Sequence, residues 1–273
     1  MSVDNLARQQ HAGFTLIEMI VVILLLGIIG AMGGEMISTA FKGFSDTDAR
    51  MELFEEGKLA LMRMERELHI ALPNAVSADI NGDGIEFGVI DENAMTGVFG
   101  QYIEVPPTGG MTITDRTASL PLVSGCDPLV SNCNPLVSIY NTSWNDFAVA
   151  TSSRVYEVTN PGVNPMILDR SIVSASPDGR YYAVRPKAVR FSVASGVLSR
   201  STATVTRGAT LGTFGEAQIL AQNITRNGTL PFFTYSPGNS TRNSVVTIHF
   251  TISSSNGAEA VNFHKEIQVR NVP

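Results

Sequence analysis

A single acidic residue lies inside a long apolar stretch near the start of the chain. Glu18 stands in the segment GFTLIEM, and the apolar run MIVVILLLGIIGAM follows directly. A carboxylate near the centre of a bilayer costs roughly 2.5–3.5 kcal/mol on insertion scales. We therefore expect the Glu18 side chain to have a cationic partner. The alternative is that Glu18 extends to the membrane interface beside its own chain terminus.

A second candidate site is the segment DINGDG. Asp79, Asn81 and Asp83, followed by Gly84, match the first half of a calcium loop, in which alternate residues supply oxygen ligands. The twelfth position, where such a loop carries Glu, is Ile90. The pattern predicts either a calcium site or an Asx-rich turn, and we expect no other cofactor.

The third group is a pair of cysteines in the segment CDPLVSNC. Cys126 and Cys133 have no second CxxC and no nearby His, so a zinc site is not indicated. If this part of the chain leaves the cytoplasm, the pattern favours a small disulfide loop worth about 2–3 kcal/mol. The alternative is two free thiols.

Signatures of common enzyme classes are missing from the sequence. It contains no GxSxG, no Walker A loop, no HExxH and no GxGxxG. Four His residues leave few groups for acid–base chemistry. We therefore do not expect an enzyme.

The candidate residues depend first on a long helix. The apolar stretch Phe14–Gly34 would be roughly 31 Å long as a helix, about one hydrocarbon core. Beyond it, apolar residues recur at steps of three and four, which predicts one buried stripe on a helix that Pro73 ends. Glycines in the first half would let neighbouring helices approach closely. The glycines are Gly27, Gly30, Gly33 and Gly34, and the stripe is Ile37, Phe41, Phe44, Met51, Phe54, Leu61, Met64, Leu68 and Leu72.

After Pro73 the pattern predicts an antiparallel sheet region with long loops. The clearest hairpin has a two-residue turn at Asn256–Gly257, which places Phe250 opposite Phe263 on an apolar face. His249 then lies opposite His264 on the polar face, as a metal clip or as two solvated imidazoles. Lys265 is the one mismatch on the apolar face. The predicted strands are GIEFGVI, GQYIEV, MTIT, PLVSIYN, DFAVAT, YYAVRPKAVRFSVA, QILAQNI, PFFTY, SVVTIHFTI and AVNFHKEIQV.

Charge is unevenly distributed along the chain. The range 46–92 holds 12 acidic and 4 basic residues, whereas 150–273 holds 12 basic and 6 acidic residues. This asymmetry indicates either attraction between subunits, or an anionic partner, or charges scattered over a solvated surface.

The segment GFTLIEMIVVILLLGIIGAM resembles the class III signal of type IV pilins and of type II secretion pseudopilins. The resemblance implies that a prepilin peptidase cuts between Gly13 and Phe14 and methylates the new amine of Phe14. Glu18 would then pair with the Phe14 amine of a neighbouring subunit during assembly, with Thr15 in the same registry motif. Shorter similarities in ALPNAV, VSIYN, VRFSVASGVLSR and VRNVP resemble the large minor pilin of mannose-sensitive haemagglutinin (MSHA) pili and the related J-type minor pseudopilin.

The resemblance implies an α+β fold, with a long amino-terminal helix packed on one or two antiparallel sheets. Its parts would be a cleaved leader (1–13), a transmembrane and assembly helix (14–34), an amphipathic continuation (35–73) and a β-rich domain outside the cytoplasm (74–273).

The same resemblance implies a function in assembly. A minor pilin would prime an MSHA-like pilus and sit at or near its tip, together with other minor and major pilins. Before assembly it would be a single-pass inner-membrane protein of a Gram-negative bacterium, in contact with the prepilin peptidase and the inner-membrane assembly platform.

Three alternatives stay open at this stage. The first is a J-type pseudopilin of a periplasmic pseudopilus, and the second is a tip adhesin or DNA-binding module. The third is a membrane-anchored periplasmic protein that never assembles. Twelve basic residues without interleaved aromatic residues do not indicate a groove for single-stranded nucleic acid, so nucleic acid is not an expected partner.

Overall fold

The computed structural model describes residues 14–92, 100–101, 109–116, 135–149, 151–160, 162–206, 210–238 and 242–269. Contacts within the chain divide it into two compact units, Met1–Ala49 and Arg50–Pro273. The described part of the first unit is helical. The second unit contains the rest of the same helix and all the described strands.

The long helix α1 runs over Leu16–His69. It ends earlier than predicted, because Pro73 lies inside strand β1 (Ala71–Ala78) instead of stopping the helix. The Ile70 carbonyl already accepts a hydrogen bond from the Ile90 N–H at 2.9 Å, so the chain joins the sheet directly after the helix. Pro73, which has no N–H to donate, falls where the register of β1 shifts, a position that tolerates proline.

The buried face of α1 differs from the predicted stripe. Phe41, Phe44 and Met51 are 58–70% exposed, whereas Met64 and Leu68 are fully buried as predicted. The predicted stripe is therefore confirmed from Leu61 onward, where its residues pack in the core, and is wrong from Ile37 to Phe54, where they are 50–70% exposed in the described structure. The residues that α1 buries, at steps of three, four and one, are Leu53, Gly57, Ala60, Met64, Glu67 and Leu68.

The described strands pair antiparallel, so the predicted α+β architecture is confirmed. Within the described residues, the largest sheet has nine strands, in which β8 (Arg180–Ala194) pairs with β2 (Gly84–Ile90), β3 (Gly100–Gln101), β5 (Leu136–Ser138) and β9 (Val197–Thr206). A four-stranded sheet is built around β14 (Ser244–Ser253), and β4 (Thr112–Ile113) forms a two-stranded sheet with β7 (Met166–Ile167). After β1, the strands are β2 Gly84–Ile90, β3 Gly100–Gln101, β4 Thr112–Ile113, β5 Leu136–Ser138, β6 Val155–Glu157, β7 Met166–Ile167, β8 Arg180–Ala194, β9 Val197–Thr206, β10 Thr210–Leu211, β11 Gln218–Ala221, β12 Ile224–Thr225, β13 Phe233–Ser236, β14 Ser244–Ser253 and β15 Ala260–Val269.

One predicted strand is wrong. The segment DFAVAT contributes to a short helix, α2 (Asn145–Ala148), not to a sheet. The Asp146 carboxylate accepts hydrogen bonds from the backbone N–H groups of Thr142 and Ser143, at 2.8 and 3.2 Å, which turns the chain before the helix. Phe147 is fully buried and lies against Gly88, where a Cβ would come within 2.7 Å of the ring.

The register of the last hairpin is confirmed. Phe250 pairs with Phe263 and His249 pairs with His264. The turn is wider than two residues, because the Gly257 N–H donates to the Ser254 carbonyl at 2.8 Å and the strands end at Ser253 and Ala260. The predicted mismatch, Lys265, has a partner on α1: its Nζ lies 2.9 Å from Glu65 Oε1.

A hydrophobic core joins the second half of α1 to both larger sheets. Met64 and Leu68 of α1 belong to one buried cluster with Phe87 of β2, Phe191 of β8 and Phe250 of β14. A buried ion pair adds to this contact, since Arg200 Nε of β9 lies 2.9 Å from both carboxylate oxygens of Glu67. Removing one partner of a buried ion pair typically costs about 3–5 kcal/mol.

The acidic and basic parts of the chain pair with each other. Among the described residues, five carboxylates of the range 46–92 form ion pairs with basic residues of the range 150–273, all within the second unit. Part of the acidic range is thus paired with part of the basic range within the same chain. The pairs are Glu65–Lys265, Glu67–Arg200, Asp83–Arg226, Glu86–Arg190 and Asp91–Arg185.

Gly57 permits the close approach of α1 to β15. A Cβ at this position would lie 2.2 Å from Cε2 and Cζ of Phe263. That ring cannot move away easily, because Phe54 and Phe250 stack on it with centroids 6.1 and 5.0 Å away. Helix propensity alone would favour Ala over Gly by about 0.8–1 kcal/mol.

We predict that Gly57→Ala lowers the free energy of unfolding by about 1–3 kcal/mol, the usual cost of overpacking. Urea unfolding of the full-length chain in detergent, followed by the fluorescence of the single Trp144, measures the change. Gly43→Ala is the matched control, because a Cβ there meets nothing within 4 Å, and it should not destabilise the chain. Equal losses in the free energy of unfolding for Gly57→Ala and Gly43→Ala would contradict this explanation. So would a loss for Gly57→Ala that is not reduced when Phe263 is also replaced by Ala.

Candidate functional site

The first turn of α1 carries the residues predicted to act in assembly. Thr15 precedes the helix, and its Oγ1 accepts a hydrogen bond from the Glu18 N–H at 3.3 Å. The Thr15 carbonyl accepts from the N–H groups of Glu18 and Met19 at 3.1 and 3.3 Å. Thr15 therefore caps the helix, the usual role of Thr at this position. Phe14 is 78% exposed, and Gly13 lies outside the described residues.

The sequence Thr15-x-x-Glu18 also fits a capping box, a purely local explanation for the acid. In a complete capping box the Glu side chain accepts a hydrogen bond from the N–H of the cap residue. Within the described residues only the Thr15 half of this exchange is formed, and Glu18 is exposed. Among the described residues, local capping therefore does not use the Glu18 carboxylate.

The first unit presents a continuous apolar surface. The large side chains from Leu16 to Met36 are between 44% and 78% exposed. By length and composition, α1 contains a stretch able to cross a membrane, and none of that stretch is buried within the described structure. The exposed residues are Leu16, Ile17, Met19, Ile20, Val21, Val22, Ile23, Leu24, Leu25, Leu26, Ile28, Ile29, Met32 and Met36.

The four glycines of this segment lie beside open space in the described structure. A Cβ at Gly27, Gly30, Gly33 or Gly34 would meet no atom within 4 Å. They contrast with Gly57, where the Phe263 ring leaves no space for a side chain. Close packing of neighbouring helices at these glycines stays a prediction.

The candidate calcium loop forms the turn between β1 and β2. Asp79 Oδ1 accepts a hydrogen bond from the Asp83 N–H at 2.8 Å, and the Gly82 N–H donates to the Asp79 carbonyl at 3.0 Å. Gly82 has φ 69°, and a Cβ there would lie 2.4 Å from Pro231, so the turn suits glycine alone. These are the contacts of the Asx-rich turn that was the alternative to a calcium site.

A distant arginine already binds the oxygens of this loop. Arg226 Nη2 lies 2.9 Å from the Asn81 carbonyl and 2.5 Å from Asp83 Oδ1. Sequence reasoning missed Arg226, because it follows the loop by more than 140 residues and belongs to no motif. Among the described residues, no group of three or more His, Cys, Asp or Glu is placed to hold a metal ion. Calcium binding at Asp79, Asn81 and Asp83 stays a prediction.

The predicted disulfide between Cys126 and Cys133 is not tested by the described structure. Cys126 and Cys133 both lie outside the described residues, so the disulfide stays a prediction.

Comparison with known families gives one match. Residues 8–34 match the model of the prokaryotic N-terminal methylation motif. The match includes Gly13, Phe14, Thr15 and Glu18, and it supports a subunit of the type IV pilin or pseudopilin type, which is a structural and not an enzymatic role. With the exposed apolar helix, the motif also supports anchoring in the inner membrane before assembly. Searches among curated proteins and among solved structures found no match.

We predict that Arg226 competes with calcium for the loop. Arg226→Gln removes the guanidinium from Asn81 and Asp83, so any calcium affinity should be higher in this variant than in the wild-type chain. The measurement is the change in melting temperature on adding Ca²⁺ or a chelator, with Arg226→Gln/Asp79→Asn as the control that removes a proposed ligand. If calcium leaves the melting temperatures of the wild-type chain and of Arg226→Gln unchanged, the calcium site is dismissed.

Proposed function

We propose that the chain is a minor pilin that is anchored in the inner membrane and then extracted into an MSHA-like type IV pilus, where it helps to start assembly at or near the tip. The methylation motif at residues 8–34 supports the pilin-type role. The finer assignment is supported by the short similarities to the large MSHA minor pilin and by the size of the β-rich part of the chain.

The observation that carries the proposal is Glu18 itself. It is the only charged residue between Phe14 and Gly34, it is exposed, and no other described residue of the chain pairs with its carboxylate. Cleavage after Gly13 would create a cation on Phe14, four residues away. In a bundle of apolar helices an unpaired charge is costly, whereas a paired charge is tolerated. Pairing of Glu18 with the Phe14 amine of a neighbour would therefore select one register between subunits.

The size of the β-rich region supports a position near the tip. About 200 residues follow Pro73, which is large for a subunit repeated along a shaft whose helices pack side by side. At the tip, no subunit above it limits the space for this region. The same size argument applies to a J-type pseudopilin. It therefore does not distinguish the two roles, which differ in the filament that contains the chain.

The charge pairs of the second unit do not favour a DNA-binding module. Lys265, Arg190, Arg200 and Arg226 all contact carboxylates of the same chain. Affinity for DNA depends on basic side chains that neutralise phosphates. Their engagement within the chain reduces the positive surface that such binding needs.

We predict that Glu18→Ala is cleaved and methylated normally but is not incorporated into filaments. Mass spectrometry of the amino terminus should find methylated Phe14 as the first residue in both the wild-type chain and the variant. Immunoblots of sheared filaments then compare their incorporation. Glu35→Ala is the matched control, because Glu35 is an exposed acid of the same helix, and it should be incorporated like the wild-type chain. Normal incorporation of Glu18→Ala would contradict the registry role, and a mature chain that begins elsewhere would remove the basis for it.

A priming subunit near the tip should be rare in the filament but necessary for its formation. We predict that deletion of the gene lowers the number of pili per cell without shortening the remaining ones in proportion, and that quantitative mass spectrometry finds a few copies per filament. Copy numbers comparable to the major pilin would contradict the minor role. Normal pilus numbers with a loss of protein secretion would instead support the J-type pseudopilin.

A further inference from the structure

Two histidines face each other across the last hairpin. His249 of β14 and His264 of β15 are directly paired in the register, and their Nδ1 atoms share a hydrogen bond of 3.0 Å in which one ring donates and the other accepts. The ring centroids are 4.5 Å apart with a tilt of 35° between the planes. The backbone of His249 is held between β13 and β15, because its N–H donates to the Phe232 carbonyl at 2.9 Å and β15 pairs on the other side.

The separation of the two nitrogens fits a shared metal ion. Imidazole nitrogens bind divalent transition metals at about 2.0–2.1 Å. Two nitrogens 3.0 Å apart then enclose an angle of about 91–97° at the metal, from the ligand distances of a zinc site. This angle is close to the 90° of a tetragonal site, the geometry preferred by Cu²⁺ and Ni²⁺, and well below the tetrahedral angle of zinc.

The surroundings of the pair are open and largely polar. Glu266 is diagonal to His249, opposite Thr247, and places a carboxylate beside the pair. Other side chains of this face include Thr225, Thr234, Thr247, Thr251 and Asn262.

We propose that His249 and His264 form a two-imidazole clip for a divalent transition metal, with Cu²⁺ bound more tightly than Zn²⁺. The order follows from the general affinity series for nitrogen sites and from the angle near 90°. Because the described residues contain no group of three ligands, water or a side chain of a neighbouring molecule fills the remaining positions. The proposal is independent of the role in pilus assembly.

The test uses the full-length chain in detergent, carrying His11→Gln and His69→Gln, so that His249 and His264 are its only histidines. This reference chain should bind one Cu²⁺ per chain in a calorimetric titration, and Zn²⁺ more weakly. Adding either His249→Gln or His264→Gln should weaken Cu²⁺ binding by about tenfold or more, since loss of even an outer-shell partner typically costs 10–100-fold in affinity. Thr251→Ala with Asn262→Ala, which removes a neighbouring cross-strand pair 2.6 Å apart, is the matched control and should bind as the reference does.

A second measurement does not depend on the variants folding. In the wild-type chain, Zn²⁺ should shift the ¹⁵N resonances of Nδ1 of both His249 and His264 in parallel, and leave those of His69 unchanged. The proposal is overturned if the reference chain binds no Cu²⁺, or if either single variant keeps its full affinity. It is equally overturned if only one of the two Nδ1 resonances responds to Zn²⁺.

Discussion

Glu18 imposes the strongest physical requirement on this chain. Its carboxylate lies in the first turn of a helix whose next residues are apolar and exposed, and Thr15 caps that turn without using the carboxylate. In lipid or among apolar helices, an ionised acid needs a cation close by. The amine created by cleavage before Phe14 is the nearest cation that the motif implies. The methylation motif supports a subunit of the pilin type, and we propose that the amine of a neighbouring copy or sister subunit satisfies this requirement in a fixed register.

In the second unit, acidic and basic side chains of the same chain form ion pairs with each other. Acidic residues of α1, of β2 and of the segments that flank β2 meet basic residues of β8, β9, β15 and the segment after β12. The Glu67–Arg200 pair, with both side chains 11% exposed, is the most buried of these contacts, and Arg63 approaches the same carboxylate. The uneven charge distribution predicts attraction between subunits, an anionic partner or scattered surface charges, whereas the described structure pairs several of these charges within the second unit.

Local patterns predicted some elements well and others badly, for physical reasons. The alternation of β14 and β15 gave the register of Phe250 with Phe263, since one face of that hairpin is buried and a slip by one residue would expose it. Strand β9 was missed because its Ser and Thr residues show no apolar alternation, although β8 covers it over most of its length. The α2 segment looked like a strand because the turn depends on Asp146, whose hydrogen bonds to Thr142 and Ser143 are not visible in hydrophobicity. Arg226 was beyond reach because its contact with the Asn81 loop is purely tertiary.

The wrong part of the helix stripe is informative about assembly. The apolar pattern of a helix reflects every environment that the helix enters. The structure of the chain by itself shows only the contacts within the chain, and not those with lipid or with neighbouring helices. Phe41 and Phe44 have helical spacing but are each 70% exposed, and the glycines before them leave open space. Farther along, Gly57 and Met64 have the same spacing and are buried against the sheets. Exposed apolar patches of this extent mark an interaction surface, so the residues of the stripe that the chain leaves uncovered are those that lipid, and then neighbouring helices, would cover.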